Sequence, residues 1–255
     1  MRKTYLIILF FIIQATAFAQ LLNFQDDVLS KKEQKNLEQA IRFQLNFYQK
    51  AFPHEGLNFS NVRVSIYIDG IAYQAKQYEL FGHVKKGSYG FYSLRDKEAV
   101  IFKKKGTDYM RVCYHEISHF FINTYSRRIP IWLNEGLATY FENIKISSKE
   151  VKAQKNKWYI IRVKTMINTR DLDIPDFLTW NHEKFNNMSF SHQGYGYALG
   201  HALVWFMMEK NPVFIIKCIQ SIEGGKAGGE TLEELYEGGL KKLEEDFIKY
   251  IQENK

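Results

Sequence analysis

With 255 residues, 45 % of them hydrophobic and 25 % charged, the chain is long enough for one sizeable domain or two lobes sharing a site, and too apolar to be disordered. A formal charge of +7 is modest, and the lysines fall in four separate stretches, a pattern of dispersed solvated surface that argues against a nucleic-acid partner. Two cysteines, Cys113 and Cys218, exclude a disulfide framework and leave open either one disulfide or two buried thiols.

The first residues read as a secretory signal peptide over 1–19. Arg2 and Lys3 precede an apolar run from Tyr5 to Ile13, and Ala17-Phe18-Ala19 forms a small-residue cleavage site before Gln20. Gln14 and Thr16 interrupt the run, so no permanent membrane span is expected once residue 19 is cleaved, and the protein is expected to be secreted or periplasmic.

Residues 20–255 then read as a single domain. Ser30 and Glu33 have the spacing of a capping box at the start of a helix, with Leu37, Ile41, Leu45, Tyr48 and Phe52 on one face and Pro53 ending it. Val62, Val64, Ile66 and Ile68 alternate with polar residues as a half-buried strand that closes at Asp69-Gly70. A short helix around 73–80 follows, then two apolar runs, 89–92 and 99–102, spaced as a hairpin. These elements make a mixed lobe over about 20–106. From about 107 to 255 the pattern is helical almost without interruption, broken at Ile129-Pro130, near Pro175 and at the glycine run 224–229. That run is read as an interhelix loop, because no strand precedes it and no Lys-Ser or Lys-Thr pair follows it. The fold class is α+β.

Within the first helix of this second lobe stands His115-Glu116-Ile117-Ser118-His119. Histidines four apart project from one face of a helix and can share a zinc ion, while Glu116, beside the first, can reach a water on that ion as general base. Val112, Tyr114, Ile117, Phe120 and Phe121 make the helix apolar almost all round, and a buried His-Glu-His cluster needs a partner to offset its desolvation. A catalytic zinc needs a third protein ligand and an open position. Glu135 is the candidate: it lies fifteen residues after His119 in Trp132-Leu133-Asn134-Glu135-Gly136-Leu137-Ala138, a second helix that begins just after Pro130.

His115-Glu116-x-x-His119 followed by Asn134-Glu135-Gly136-x-Ala138 resembles the gluzincin metallopeptidases. Ile122 and Tyr125 stand where the metzincin branch requires glycine and histidine, which excludes that branch. The nearest likeness is to the peptidase MA-like family, and more distantly to the catalytic domain of the aminopeptidase N and leukotriene hydrolase group. The segment 194–203 resembles that group's second characteristic helix, whose tyrosine assists catalysis, with Tyr197-Ala198-Leu199-Gly200 as the matching stretch; 239–247 is similar to its closing helix. The likeness spans about 87–251.

The resemblance implies a zincin-like catalytic domain with one zinc ion on His115, His119 and Glu135, Glu116 as general base, and Tyr197, with Tyr195 as the alternative, as oxyanion donor. It also implies a peptide or protein as substrate, and the 89–102 hairpin is either the substrate-binding edge strand of such a domain or a plain structural hairpin. His201, one turn after Tyr197, is expected to pack or hydrogen-bond, and Thr139 and Glu142 to orient ligands. Phe177, Trp180, Phe185 and Phe190 are either core or a wall of the cleft. No amine-binding glutamate motif accompanies the site, so unrestricted aminopeptidase action is not expected. The competing readings are a zinc-binding scaffold without turnover and a zinc hydrolase of a non-peptide substrate. Nothing in the sequence sets the oligomeric state.

Overall fold

The structure, a computed structural model, describes residues 28–53, 62–191 and 194–253; the expected signal segment lies outside them. Over these residues the chain is mostly helical α+β, with two small sheets among them. Among the described residues no helix is long and apolar enough to cross a membrane. The described residues divide into two compact units, one formed by 28–38 and 62–120, the other by 39–53, 121–191 and 194–253.

In the first unit, helix α1 (Lys31–Ala51) begins on the expected capping box: the Ser30 N–H donates to Glu33 Oε2 at 2.7 Å and the Glu33 N–H to Ser30 Oγ at 3.3 Å. The Glu33 carboxylate also accepts from the Tyr109 hydroxyl and from Lys103 Nζ, the latter at 3.4 Å. Burial disfavours its charge, but these partners and the two Ser30 bonds outweigh burial and hold its pKa down at about 2.

Strand β1 (Arg63–Tyr67) runs into α2 (Gly70–Phe81), which Asp69 caps by accepting from the Ile71 N–H at 2.9 Å, and which ends at Gly82 in the left-handed region. Strands β2 (Gly90–Ser93) and β3 (Glu98–Phe102) form the expected antiparallel hairpin. The sheet order is β1-β3-β2, with β1 parallel to the central β3 and β2 at an edge. Tyr73, Phe91 and Val100 are its core, with Tyr67, Leu80, Phe81 and Phe102 packed around them.

Helix α3 (Tyr109–Tyr125) carries the His-Glu-x-x-His stretch and α4 (Ile131–Glu142) the Asn-Glu-Gly stretch. The expected near-continuous run of helices after 106 is corrected here. A hairpin of β4 (Ile144–Ile146) and β5 (Val151–Ala153) intervenes, closed by Ser147 N–H to Glu150 carbonyl at 3.0 Å. Strands of three residues show too little alternation to register as a period.

Helices α5 (Lys157–Thr169), α6 (Ile174–Leu178), α7 (His182–Ser191), α8 (Tyr195–Lys210), α9 (Pro212–Glu223), α10 (Gly228–Leu235) and α11 (Gly239–Glu253) complete the second unit. Its centre is α8, against which α4, α5, α7 and α9 pack. A helix with apolar side chains all round belongs in a core, and every residue of α8 except Tyr197, Glu209 and Lys210 is buried. A second nucleus is aromatic: Tyr48 sits 5.4 Å from Phe121 and 5.5 Å from Phe141, ring centre to ring centre, with Phe43 edge-on to Phe141. Gln44 is fully buried on α1, while Leu45, expected on its core face, is only half-buried.

Candidate metal centre

Cys113, Tyr114, Ile117, Phe120, Phe121 and Ile122 are all buried, so α3 is a core helix. On it His115 and His119 remain partly accessible. Their rings stand 4.8 Å apart at 80°, as side chains one turn apart on a single face must. Glu116 is 7 % exposed. Cys113 and Cys218 are unbonded and buried, and burial, reinforced at Cys113 by the Glu116 charge, pushes both thiols well above the ordinary range. They are therefore protonated packing groups.

Pro130, at φ −64° and ψ 153°, delivers the chain to α4 in extended conformation. The second turn of that helix presents Glu135, and one ligand atom from each of His115, His119 and Glu135 lies within 4.8 Å of the other two. Two imidazole nitrogens and one carboxylate oxygen are a donor set suited to zinc. Bonds of ~2.0–2.2 Å in tetrahedral array need ligand atoms about 3.3 Å apart, a closure within the reach of side-chain rotation. His115, His119 and Glu135 therefore fit a metal ion and form a possible metal-binding triad.

Three glycines set the surroundings. A Cβ on Gly90, in edge strand β2, would stand 2.3 Å from Val112 Cγ1 and 3.2 Å from Glu116 Cγ. Only glycine lets the β2 backbone lie this close to the face of α3 that carries Glu116. A Cβ on Gly136 would stand 2.7 Å from the Gly200 carbonyl oxygen and 2.7 Å from Val204 Cγ2, and one on Gly200 would stand 3.0 Å from the Trp132 carbonyl oxygen. Helices α4 and α8 thus cross with their backbones in contact. Gly136 adjoins Glu135 and Gly200 lies one turn from Tyr197, so the crossing fixes those two side chains relative to each other. Glycine in a helix interior costs about 1 kcal/mol relative to alanine, and that local cost is the sequence signal for such an approach.

The two tyrosines separate clearly. Tyr195 donates its hydroxyl to the Asp171 carbonyl at 2.6 Å and stacks on Trp180, with ring centres 5.6 Å apart; it is committed to the core. Tyr197 meets Phe185 edge-on at 5.1 Å and is half-buried at the start of an otherwise buried helix. His201 is fully buried, and its Nε2 accepts from the Asn156 N–H at 3.2 Å, the packing and bonding part expected of it. Thr139 does not orient a ligand through its hydroxyl, which donates to the Glu135 carbonyl at 2.8 Å and the Gly136 carbonyl at 3.0 Å within its own helix. Glu142 is half-buried at the end of α4. Phe177, Trp180 and Phe185 are core, whereas Phe190 is 94 % exposed.

Compared with known families, residues 114–224 match the family described as "Protein of unknown function (DUF1570)". The matched stretch, under half of the chain, holds His115, Glu116, His119, Glu135 and Tyr197. No curated protein matches the chain.

Proposed function

We propose that this chain is a zinc-dependent peptidase with a zincin-like fold of the gluzincin type, acting outside the cytoplasm after removal of residues 1–19. The observation that carries this reading is the meeting of His115, His119 and Glu135 within 4.8 Å beside a buried Glu116. A carboxylate next to a ligand pair, but outside the triad, is positioned for proton transfer and not for coordination. One zinc ion bound there would supply Lewis acidity, bringing the pKa of water toward ~7 and polarising a carbonyl oxygen.

The remaining work falls to side chains. Glu116 takes a proton from the attacking water as its oxygen bonds to the peptide carbonyl carbon, then returns it to the leaving nitrogen as the C–N bond breaks. Tyr197 donates a hydrogen bond to the developing oxyanion, a role open to it because its hydroxyl belongs to the one half-buried side chain in the first turn of α8. Edge strand β2, brought against α3 by Gly90, offers main-chain hydrogen-bonding groups to an extended peptide.

The test is Glu116→Gln, assayed by mass-spectrometric profiling of a peptide library alongside metal content. The wild type is expected to cleave and the variant to bind zinc without cleaving. If both bind zinc and neither cleaves any peptide, the protein is a zinc scaffold or acts on a different bond.

A further inference from the structure

The net positive charge of this chain is confined to one segment. Of its 35 basic and 28 acidic side chains, residues 143–170 hold eight and one, so the rest of the sequence balances at 27 of each. The lysines elsewhere are dispersed and offset; within this segment Lys152 pairs with Glu150 at 2.5 Å and Lys155 with Glu209 at 3.3 Å, and a large excess of positive charge is left over. These basic side chains occupy the β4–β5 hairpin and helix α5, which follows it at once through the Asn156 cap. Lys145 and Lys152 are directly opposite each other in the hairpin, both exposed on the same face, although like charges at opposed positions destabilise a strand pair.

Helix α5 adds a second anomaly. Ile160, Val163 and Met166 point into the core. The outward face should then be polar, yet its centre holds Trp158, 53 % exposed, and Ile161, 64 % exposed. At 100° per residue Lys157 and Lys164 flank this pair on one side and Arg162 on the other. Phe190 extends the apolar area: the Trp158 ring lies 3.8 Å from where a Cβ on Gly194 would be, and the Gly194 N–H donates to the carbonyl of Ser189, the residue before Phe190, at 2.6 Å.

We infer that the hairpin and the outward face of α5 form a docking surface for an anionic lipid bilayer, with Trp158, Ile161 and Phe190 entering the headgroup boundary and the surrounding lysines meeting acidic headgroups. Exposed apolar side chains rimmed by basic ones are the chemistry of an interfacial anchor, in which long lysine stems lie along the apolar area while their ammonium groups reach the phosphates. Ile161 favours lipid over a nucleic acid, since an aliphatic side chain offers a base no stacking surface. The inference does not depend on the hydrolytic reading of the metal centre.

The full chain is incubated with vesicles of phosphatidylcholine alone and with one third phosphatidylglycerol, and the bound fraction is measured by co-sedimentation in 0.15 M and 0.5 M salt. Binding at least tenfold tighter to the acidic vesicles is expected at the lower salt, weakening at the higher. Each basic side chain near such a surface contributes roughly fivefold, so reversing Lys145, Lys152 and Lys157 to glutamate together should cost at least about 100-fold. Trp158→Ser with Ile161→Ser should lower affinity about tenfold or more while leaving a salt-sensitive remainder. All five positions are exposed or half-exposed, and unchanged circular dichroism and melting temperature confirm the fold of each variant. Equal binding to neutral and acidic vesicles, variants that bind as the wild type does, or binding to an oligonucleotide with none to acidic vesicles would each overturn the inference.

Discussion

Replacing Gly136 by alanine places a methyl group 2.7 Å from the Gly200 carbonyl oxygen and 2.7 Å from Val204 Cγ2. An ordinary contact is about 3.5–4.0 Å, so the α4 and α8 backbones must separate by most of an ångström or one helix must rotate. Overpacking of this kind costs about 1–3 kcal/mol, and the obstacle here is a backbone oxygen that cannot swing aside, which places the cost near the upper end. Alanine returns about 1 kcal/mol through its higher helix propensity. The net loss is about 1–2 kcal/mol, or a melting temperature lower by roughly 2–8 °C for a chain of this size. Gly229→Ala is the control, since a Cβ there meets nothing within 4 Å; it should be neutral or slightly stabilising. Thermal unfolding followed by circular dichroism compares the three proteins. A Gly136→Ala variant as stable as Gly229→Ala would show that α4 and α8 do not cross in backbone contact, and would remove the reason for the fixed relation between Glu135 and Tyr197.

Tyr197→Phe should retain zinc and lose about 10²–10³ in turnover if its hydroxyl serves the oxyanion, whereas Tyr195→Phe should lose about 1 kcal/mol of stability with the bond to the Asp171 carbonyl and leave turnover nearly intact; the reverse pattern would exchange their roles. Glu33 is held at about 2 against an ordinary 4.5, so its stabilising contribution is complete above pH 4.5 and drains away as pH falls from 4.5 toward 2. Tyr109→Phe removes one of the bonds responsible, and the stability gap between it and the wild type should therefore narrow over that interval. A gap that stays constant with pH would mean that the Glu33 contacts do not set its titration.

Local signals account for what the sequence discloses. The Ser30 and Glu33 cap, the alternation through 62–68, the 89–102 hairpin and the histidines four apart are all encoded within a few residues, and each element forms where its pattern places it except at Ile68, which lies past the strand end at Tyr67 and is exposed. Pairing between distant segments is not encoded that way: the parallel β1–β3 ladder joins residues 35 apart, and no periodicity announces it. Gln44 reaches the core of α1 ahead of Leu45 because tertiary surroundings override hydropathy. At the site, residue type and spacing single out His115, His119 and Glu135, which the structure brings together. The destinations of the Thr139 and Tyr195 hydroxyls depend on which carbonyl stands nearby, and only the folded chain decides that. Gly90, Gly136 and Gly200 are an intermediate case, since a glycine inside a strand or helix advertises a close approach without naming its neighbour.

The proposed hydrolytic function rests on the possible metal-binding triad, and zinc stoichiometry tests it most directly. Elemental analysis of the purified chain after dialysis against micromolar zinc should give one ion per chain in the wild type and in Glu116→Gln, and a severe loss in His115→Ala, His119→Ala and Glu135→Ala. A Glu135→Ala variant that keeps its full zinc content, or a wild type that binds none, would contradict the assignment of these three side chains as a metal site.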